Sequence, residues 1–125
     1  MEVTRLEPGY DTAKEEFMHG WFNKAETALT ANKPADAVSC FDMVLKDDPF
    51  NARAYSGLSR AYWEQGRTED ALNSLTRALE LEPDDREIIL QCSRIFGKLG
   101  KKDFADEVLE SYMARNPQDV ESLSG

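Results

Sequence analysis

Residues 55–83 read YSGLSRAYWEQGRTEDALNSLTRALELEP, two apolar-periodic stretches divided by Gly66 and closed by Pro83. The second stretch carries Ala71, Leu72, Leu75, Ala78 and Leu79 at the spacing that gathers apolar side chains on one face of a helix. Gly66 stands where the first helix closes, a position that calls for the left-handed backbone glycine adopts without penalty. Pro83 stops the second helix. No stretch of the chain alternates apolar and polar residues between hairpin-type turns, so strands are not expected. The unit is helix, tight turn, helix, proline.

That unit recurs in both directions at one period. Pro49, Pro83 and Pro117 stand 34 residues apart, as do Ala37, Ala71 and Ala105. Asn32, Gly66 and Gly100 keep the same step, and so do the bulky residues Phe41, Leu75 and Leu109. Each column has a mechanical reason. Asn and Gly tolerate the left-handed turn, and the small alanines let a neighbouring helix approach closely. An Asn or Asp just after each proline (Asn51, Asp84 or Asp85, Asp119) is placed to cap the next helix.

This pattern resembles the tetratricopeptide repeat. Repeat two supplies Tyr55, Leu58, Ser59, Tyr62, Gly66, Ala71, Leu75, Ala78 and Pro83. Repeat one supplies Trp21, Ala25, Ala28, Asn32, Ala37, Phe41 and Pro49, with Val44 where Ala is common. Repeat three supplies Ile89, Ser93, Phe96, Gly100, Ala105, Leu109 and Pro117, with bulky Tyr112 in the column of Val44. The resemblance implies an all-α fold, a right-handed α-solenoid of three tandem helix-turn-helix units at residues 18–51, 52–85 and 86–119. Residues 1–17 extend the first helix, which is expected from about Thr12 to Ala31, with Asp11 or Thr12 capping it and Glu15 completing a capping box. Residues 120–125 start a truncated fourth repeat or a tail, with Ser124-Gly125 echoing Ser56-Gly57. Gly125 is therefore expected to be a truncation point. Phe104, Val108, Leu109, Tyr112 and Met113 are expected to leave apolar surface open on the last full helix, a face for a homo-oligomer contact.

Composition narrows the function classes. The chain has 125 residues, 41% hydrophobic and 10% aromatic, which argues against disorder despite 31% charged residues. No apolar run approaches the roughly 18 residues a membrane span needs, and the acidic start MEVTRLEPGYD lacks a signal-peptide layout. A net charge of −9 opposes generic binding to nucleic acid or anionic lipid. Cys40 and Cys92 form no disulfide framework or metal-ligand spacing and read as reduced, apolar thiols of a cytoplasmic protein.

Chemistry is hard to place on this chain. His19 is the only histidine, without a nucleophile motif around it. Gly100-Lys101 lacks the earlier glycine of a phosphate loop, where Ile95 stands. ELEPDDRE lacks the alternating ligands of a calcium loop. No catalytic residues, metal site or cofactor are expected.

What the resemblance implies instead is a concave groove lined by the first helix of each repeat. Carried over in register, the groove positions are His19, Phe22, Asn23 and Glu26 from repeat one. Repeat two gives Arg53, Ser56, Gly57, Arg60, Trp63 and Glu64, and repeat three gives Glu87, Leu90, Gln91, Arg94 and Lys98. Arg60 and Arg94 share a register, so two guanidinium groups are expected side by side, joined by Arg53 and Lys98. Phe22, Trp63 and Leu90 are candidate apolar anchors, and Ser56-Gly57 leave the middle of the floor shallow. The expected partner is a protein or peptide, extended or helical, with an acidic group and apolar side chains. Against this, such arginines also pair with Glu26, Glu64 or Glu87, and Trp63 also packs on a neighbour. The carboxylate-clamp positions of chaperone-binding repeats fall on Phe22, Glu26, Gly57, Glu87 and Gln91, none of which fits, so that clamp is not expected. The function expected is a non-catalytic protein-interaction module. The alternative is the N-terminal repeat region of a longer enzyme, for instance a glycosyltransferase or methyltransferase, serving substrate recruitment or oligomerisation.

Overall fold

The computed structural model describes residues 8–119. Six helices follow one another: α1 (Pro8–Thr30), α2 (Pro34–Asp47), α3 (Ala52–Glu64), α4 (Thr68–Leu81), α5 (Arg86–Lys98) and α6 (Lys102–Arg115). A single 3-10 turn, Pro117–Asp119, closes the described chain. Consecutive helices pair as hairpins, α1 with α2, α3 with α4 and α5 with α6, and the hairpins stack into an α-solenoid. Among the described residues no helix is long and apolar enough to cross a membrane.

The turns inside the hairpins are built alike. Asn32, Gly66 and Gly100 have φ of 62, 76 and 79°, the left-handed region. After each, an N–H reaches back five residues to a carbonyl: Lys33 to Ala28 at 2.8 Å, Arg67 to Tyr62 at 2.9 Å, Lys101 to Phe96 at 2.8 Å. These are Schellman closures, which satisfy carbonyls that a helix end would otherwise leave orphaned. The starts of α3 and α5 are capped by side chains. Asn51 Oδ1 accepts from the Ala54 N–H at 3.0 Å. Asp85 accepts from the Glu87 and Ile88 N–H groups at 2.9 and 3.2 Å. Asp84, the alternative cap, instead accepts from Arg115 Nε at 2.7 Å, tying the end of α6 to the loop before α5.

Helix α1 departs from expectation at its start. It begins at Pro8, a residue suited to the first helical turn, so Asp11 and Thr12 lie inside the helix rather than capping it.

The core follows the columns. Ala37 and Ala71 are fully buried and Ala105 nearly so, which lets paired helices close together. One apolar cluster joins α1, α2 and α3 through Phe22, Ala25, Phe41, Val44, Ala54, Leu58 and Ala61. A second joins the start of α3 to α4 and α5 through Ala52, Leu75, Ala78, Ile88, Cys92 and Ile95. The last helix is partly open. Phe104 is 43% exposed, packed edge-on against Phe96 at 4.6 Å, and Val108, Leu109 and Met113 are half-buried. Tyr112, expected on that open face, is instead 3% exposed, because its column points into the hairpin as Val44 and Ala78 do. The expectations for residues 120–125 lie outside the described residues.

Candidate functional site

Helices α1, α3 and α5 present one face of each hairpin to a common groove. Its main cavity, about 490 Å3, is lined among others by Phe22, Glu26, Arg53, Ser56, Gly57, Arg60, Glu87, Leu90, Gln91 and Arg94. A smaller one, about 170 Å3, continues it toward the helix ends, with Arg60, Trp63, Glu64, Gln91, Arg94 and Lys98 around it. The register thus brings together nearly all the candidate residues. Asn23 and His19 are exposed on α1 and line neither cavity.

The floor differs from the expectation in how it is made. Phe22 is only 6% exposed and meets Phe41 edge-to-face at 6.0 Å, so it is core that shows in the groove and not a protruding anchor. Phe41, on α2, also lines the cavity. It reaches there because Gly57 has no side chain: a Cβ at Gly57 would lie 2.2–2.7 Å from three carbons of the Phe41 ring. Gly57 therefore serves a close packing of α2 on α3. Phe41, Ile88 and Asp85 are lining residues that register alone missed. The pairing of a mid-helix glycine with the bulky-column residue of the preceding helix was the available signal for Phe41. Trp63 is half-buried against the second core cluster and also borders the smaller cavity.

The charges are individually placed. Arg60 is held bidentately by Glu26, Nη1 to Oε2 at 3.0 Å and Nη2 to Oε1 at 3.3 Å, across the gap between hairpins one and two. Both side chains are about half exposed, so the pair adds little stability. It neutralises Arg60 within the groove. Arg94 Nη1 donates to Gln91 Oε1 at 2.8 Å. Gln91, 5% exposed, donates in turn to Ser59 Oγ at 3.4 Å, and Ser59 donates to the Ser56 carbonyl at 2.6 Å. This buried polar chain fixes the Gln91 amide so that its oxygen faces Arg94. Arg53 lies over the Phe22 ring, 4.4 Å from guanidinium carbon to centroid. Among the described residues neither Arg53, Arg94 nor Lys98 has a carboxylate within ion-pair distance. Of the four expected cations, Arg60 is already ion-paired, Arg53 and Arg94 border the main cavity, and Lys98 borders only the smaller one.

The titratable groups with displaced pKa lie away from the groove walls. Burial pushes the Cys92 thiol up to about 12 and raises Cys40 as well, and both cysteines are free. Burial also raises Asp42 and Tyr62. Among the described residues no group of three His, Cys, Asp or Glu side chains is placed to hold a metal.

Comparison with known proteins agrees with this architecture. Two family models, both described as the tetratricopeptide repeat, match residues 22–88 and 62–124. The chain is 30% identical over 95 residues to the STIP1 homolog of Dictyostelium discoideum, covering 76% of this chain and 17% of that protein. It is 32% identical over 93 residues to DnaJ homolog subfamily C member 3 of Bos taurus, covering 74% and 18%. The TPR repeat-containing protein YpiA of Bacillus subtilis is 26% identical over 102 residues, covering 82% and 24%. The chain therefore spans about a fifth of the length of these relatives. Among solved structures, MamA from Desulfovibrio magneticus RS-1, residue 41 to its end, superposes with a TM-score of 0.71 at 18% identity, covering 88% of this chain and 68% of that one. That is a likeness of fold.

Proposed function

The chain belongs to the tetratricopeptide repeat family, a family of protein-interaction modules, and from that premise we propose that it binds a peptide segment of a partner protein in the groove between α1, α3 and α5. The observation that carries this reading is the cavity of about 490 Å3, its floor apolar through Phe22, Phe41 and Leu90 and its walls bearing the free cations Arg53 and Arg94. Such a site suits a segment with apolar side chains and an acidic group. The mechanism is presentation, not catalysis: a stack of packed hairpins holds the groove open before the ligand arrives, which lowers the ordering cost of binding. The free thiols suit a reducing, cytoplasmic compartment. Recruiting a substrate to a catalytic domain elsewhere in a longer protein would use the same groove, and the full reading frame separates that role from scaffolding.

The test fills the groove without touching the core. Ser56 lies on the groove floor half-buried, and its carbonyl, not its hydroxyl, serves the Ser59 bond. Peptides selected from a displayed random library against the wild-type chain should lose at least about tenfold in affinity, about 1.4 kcal/mol, on Ser56→Trp. The far-ultraviolet circular dichroism and melting should stay as in wild type. Selected peptides that bind Ser56→Trp unchanged would place the interaction elsewhere.

A further inference from the structure

Three arginines wall the groove, and the structure makes them unequal. Arg60 already holds a carboxylate, because Glu26 chelates it with both oxygens. Arg94 carries no acid and is oriented from behind by the Ser59–Gln91 chain, whose members are 0% and 5% exposed. Arg53 carries none either and lies over the Phe22 ring. Stacking occupies the face of a guanidinium and leaves its N–H edge available, so both free arginines are pre-organised to receive an acid.

Their placement gives a spacing. Arg53 stands at the start of α3, and Arg94 occupies on α5 the register of Arg60, seven residues further along the helix. Seven residues rise about 10 Å along a helix axis, and the step from α3 to α5 adds about 8–10 Å across. The two positions therefore stand about 14 Å apart, which an extended chain covers in about four residues. Phe22, Phe41 and Leu90 give the same cavity its apolar floor, with Phe22 beneath the Arg53 guanidinium. Resting on the groove reading above, we propose that the ligand is a peptide with two acidic side chains about four positions apart flanking an apolar residue, all three on one face of the extended chain. Arg53 and Arg94 receive the acids, and Glu26 withholds Arg60 from recognition. Two other acids line the cavity. Asp85 is committed to capping α5, and Glu87 is the uncommitted one, opposing an acid placed on its side of Arg53.

The probe is the blocked peptide acetyl-Glu-Ala-Leu-Ala-Glu-amide, with acetyl-Gln-Ala-Leu-Ala-Gln-amide as its uncharged control, titrated into labelled protein and followed by NMR shifts. The acidic peptide should bind roughly tenfold or more tighter than the control, since hydrogen bonds to charged groups are the strong ones. Arg53→Gln and Arg94→Gln should each cost roughly tenfold for the acidic peptide alone. Gln91→Met should weaken the acidic peptide and leave the control unmoved, as a residue that only positions Arg94 must. Removing the internal pair together, Glu26→Gln with Arg60→Gln, should leave affinity within about twofold. Glu26→Gln alone, which releases Arg60, should strengthen it, and so should Glu87→Gln. Equal binding of the two peptides, no binding of the acidic one, or loss on the paired variant as large as on Arg94→Gln would each overturn the proposal. Library peptides without acids that Ser56→Trp abolishes would overturn it too and leave the groove reading standing.

Discussion

Gly57 sits in the middle of α3 with the Phe41 ring against its Cα, and that contact shows how one atom can govern both packing and the groove floor. Replacing a mid-helix glycine by alanine ordinarily gains up to about 1 kcal/mol from helix propensity. Here the new methyl would sit 2.2–2.7 Å from ring carbons that are 1% exposed and pinned edge-on by Phe22. Overpacking of this kind costs about 1–3 kcal/mol, so the clash outweighs the propensity gain. Gly57→Ala should destabilise the protein by about 1–2 kcal/mol in chemical denaturation. In a Phe41→Leu background the same change should cost less or turn favourable, and equal costs in both backgrounds would refute the contact as the cause. Sequence register expected Gly57 on the groove face, and it borders the cavity there. Register did not show the ring behind it, since Phe41 lies on another helix, 16 residues away.

At the scale of elements, helix ends were the most legible part. The left-handed residue, the backbone closure that follows it and the side-chain cap of the next start are all made within a few residues of chain. Asn32 is the one non-glycine among the three left-handed turn residues. A Cβ costs energy in that conformation and asparagine bears the cost better than most residues. Asn32→Gly should therefore raise stability by a few tenths to about 1 kcal/mol, and Gly66→Ala or Gly100→Ala should lower it by about 1 kcal/mol. Nothing lies within 4 Å of a Cβ built at either glycine, so the backbone angle alone would act there. Melting curves of the three variants check the sign of each. The start of α1 was less legible. Asp11, Thr12 and Glu15 make a plausible cap on paper, yet the helix continues past them to Pro8, because a cap motif marks a start only where the chain before it leaves the helical region.

Across the whole molecule, stability is local in a stack of hairpins, each touching its neighbours. The two apolar clusters divide the chain near the start of α3, and α4 meets α5 through a sparser interface than α2 makes with α3. Helix α6 has half-buried Val108, Leu109 and Met113 and an exposed Phe104, whereas the corresponding bulky residues Phe41 and Leu75 are closed off. The third hairpin should therefore open by local unfolding before the rest. Hydrogen exchange read by mass spectrometry should show α6 amides protected at least about tenfold less than those of α3. Uniform protection over both helices would instead indicate one cooperative unit.

The sequence by itself determined the repeat, the six helices and the turns between them. Those features follow from short-range rules: a period of 34 residues, left-handed residues, caps and apolar spacing, each satisfied within a few turns of chain. Which charge is already paired was decided only by the tertiary structure. Glu26 and Arg60 are 34 residues apart, Ser59 and Gln91 are 32 apart, and the Arg53 guanidinium lies over a ring on another helix. Periodicity assigns a side chain to a face. The rotamer and partner it finds there depend on which neighbouring helix comes within reach, and that is settled only when the hairpins pack.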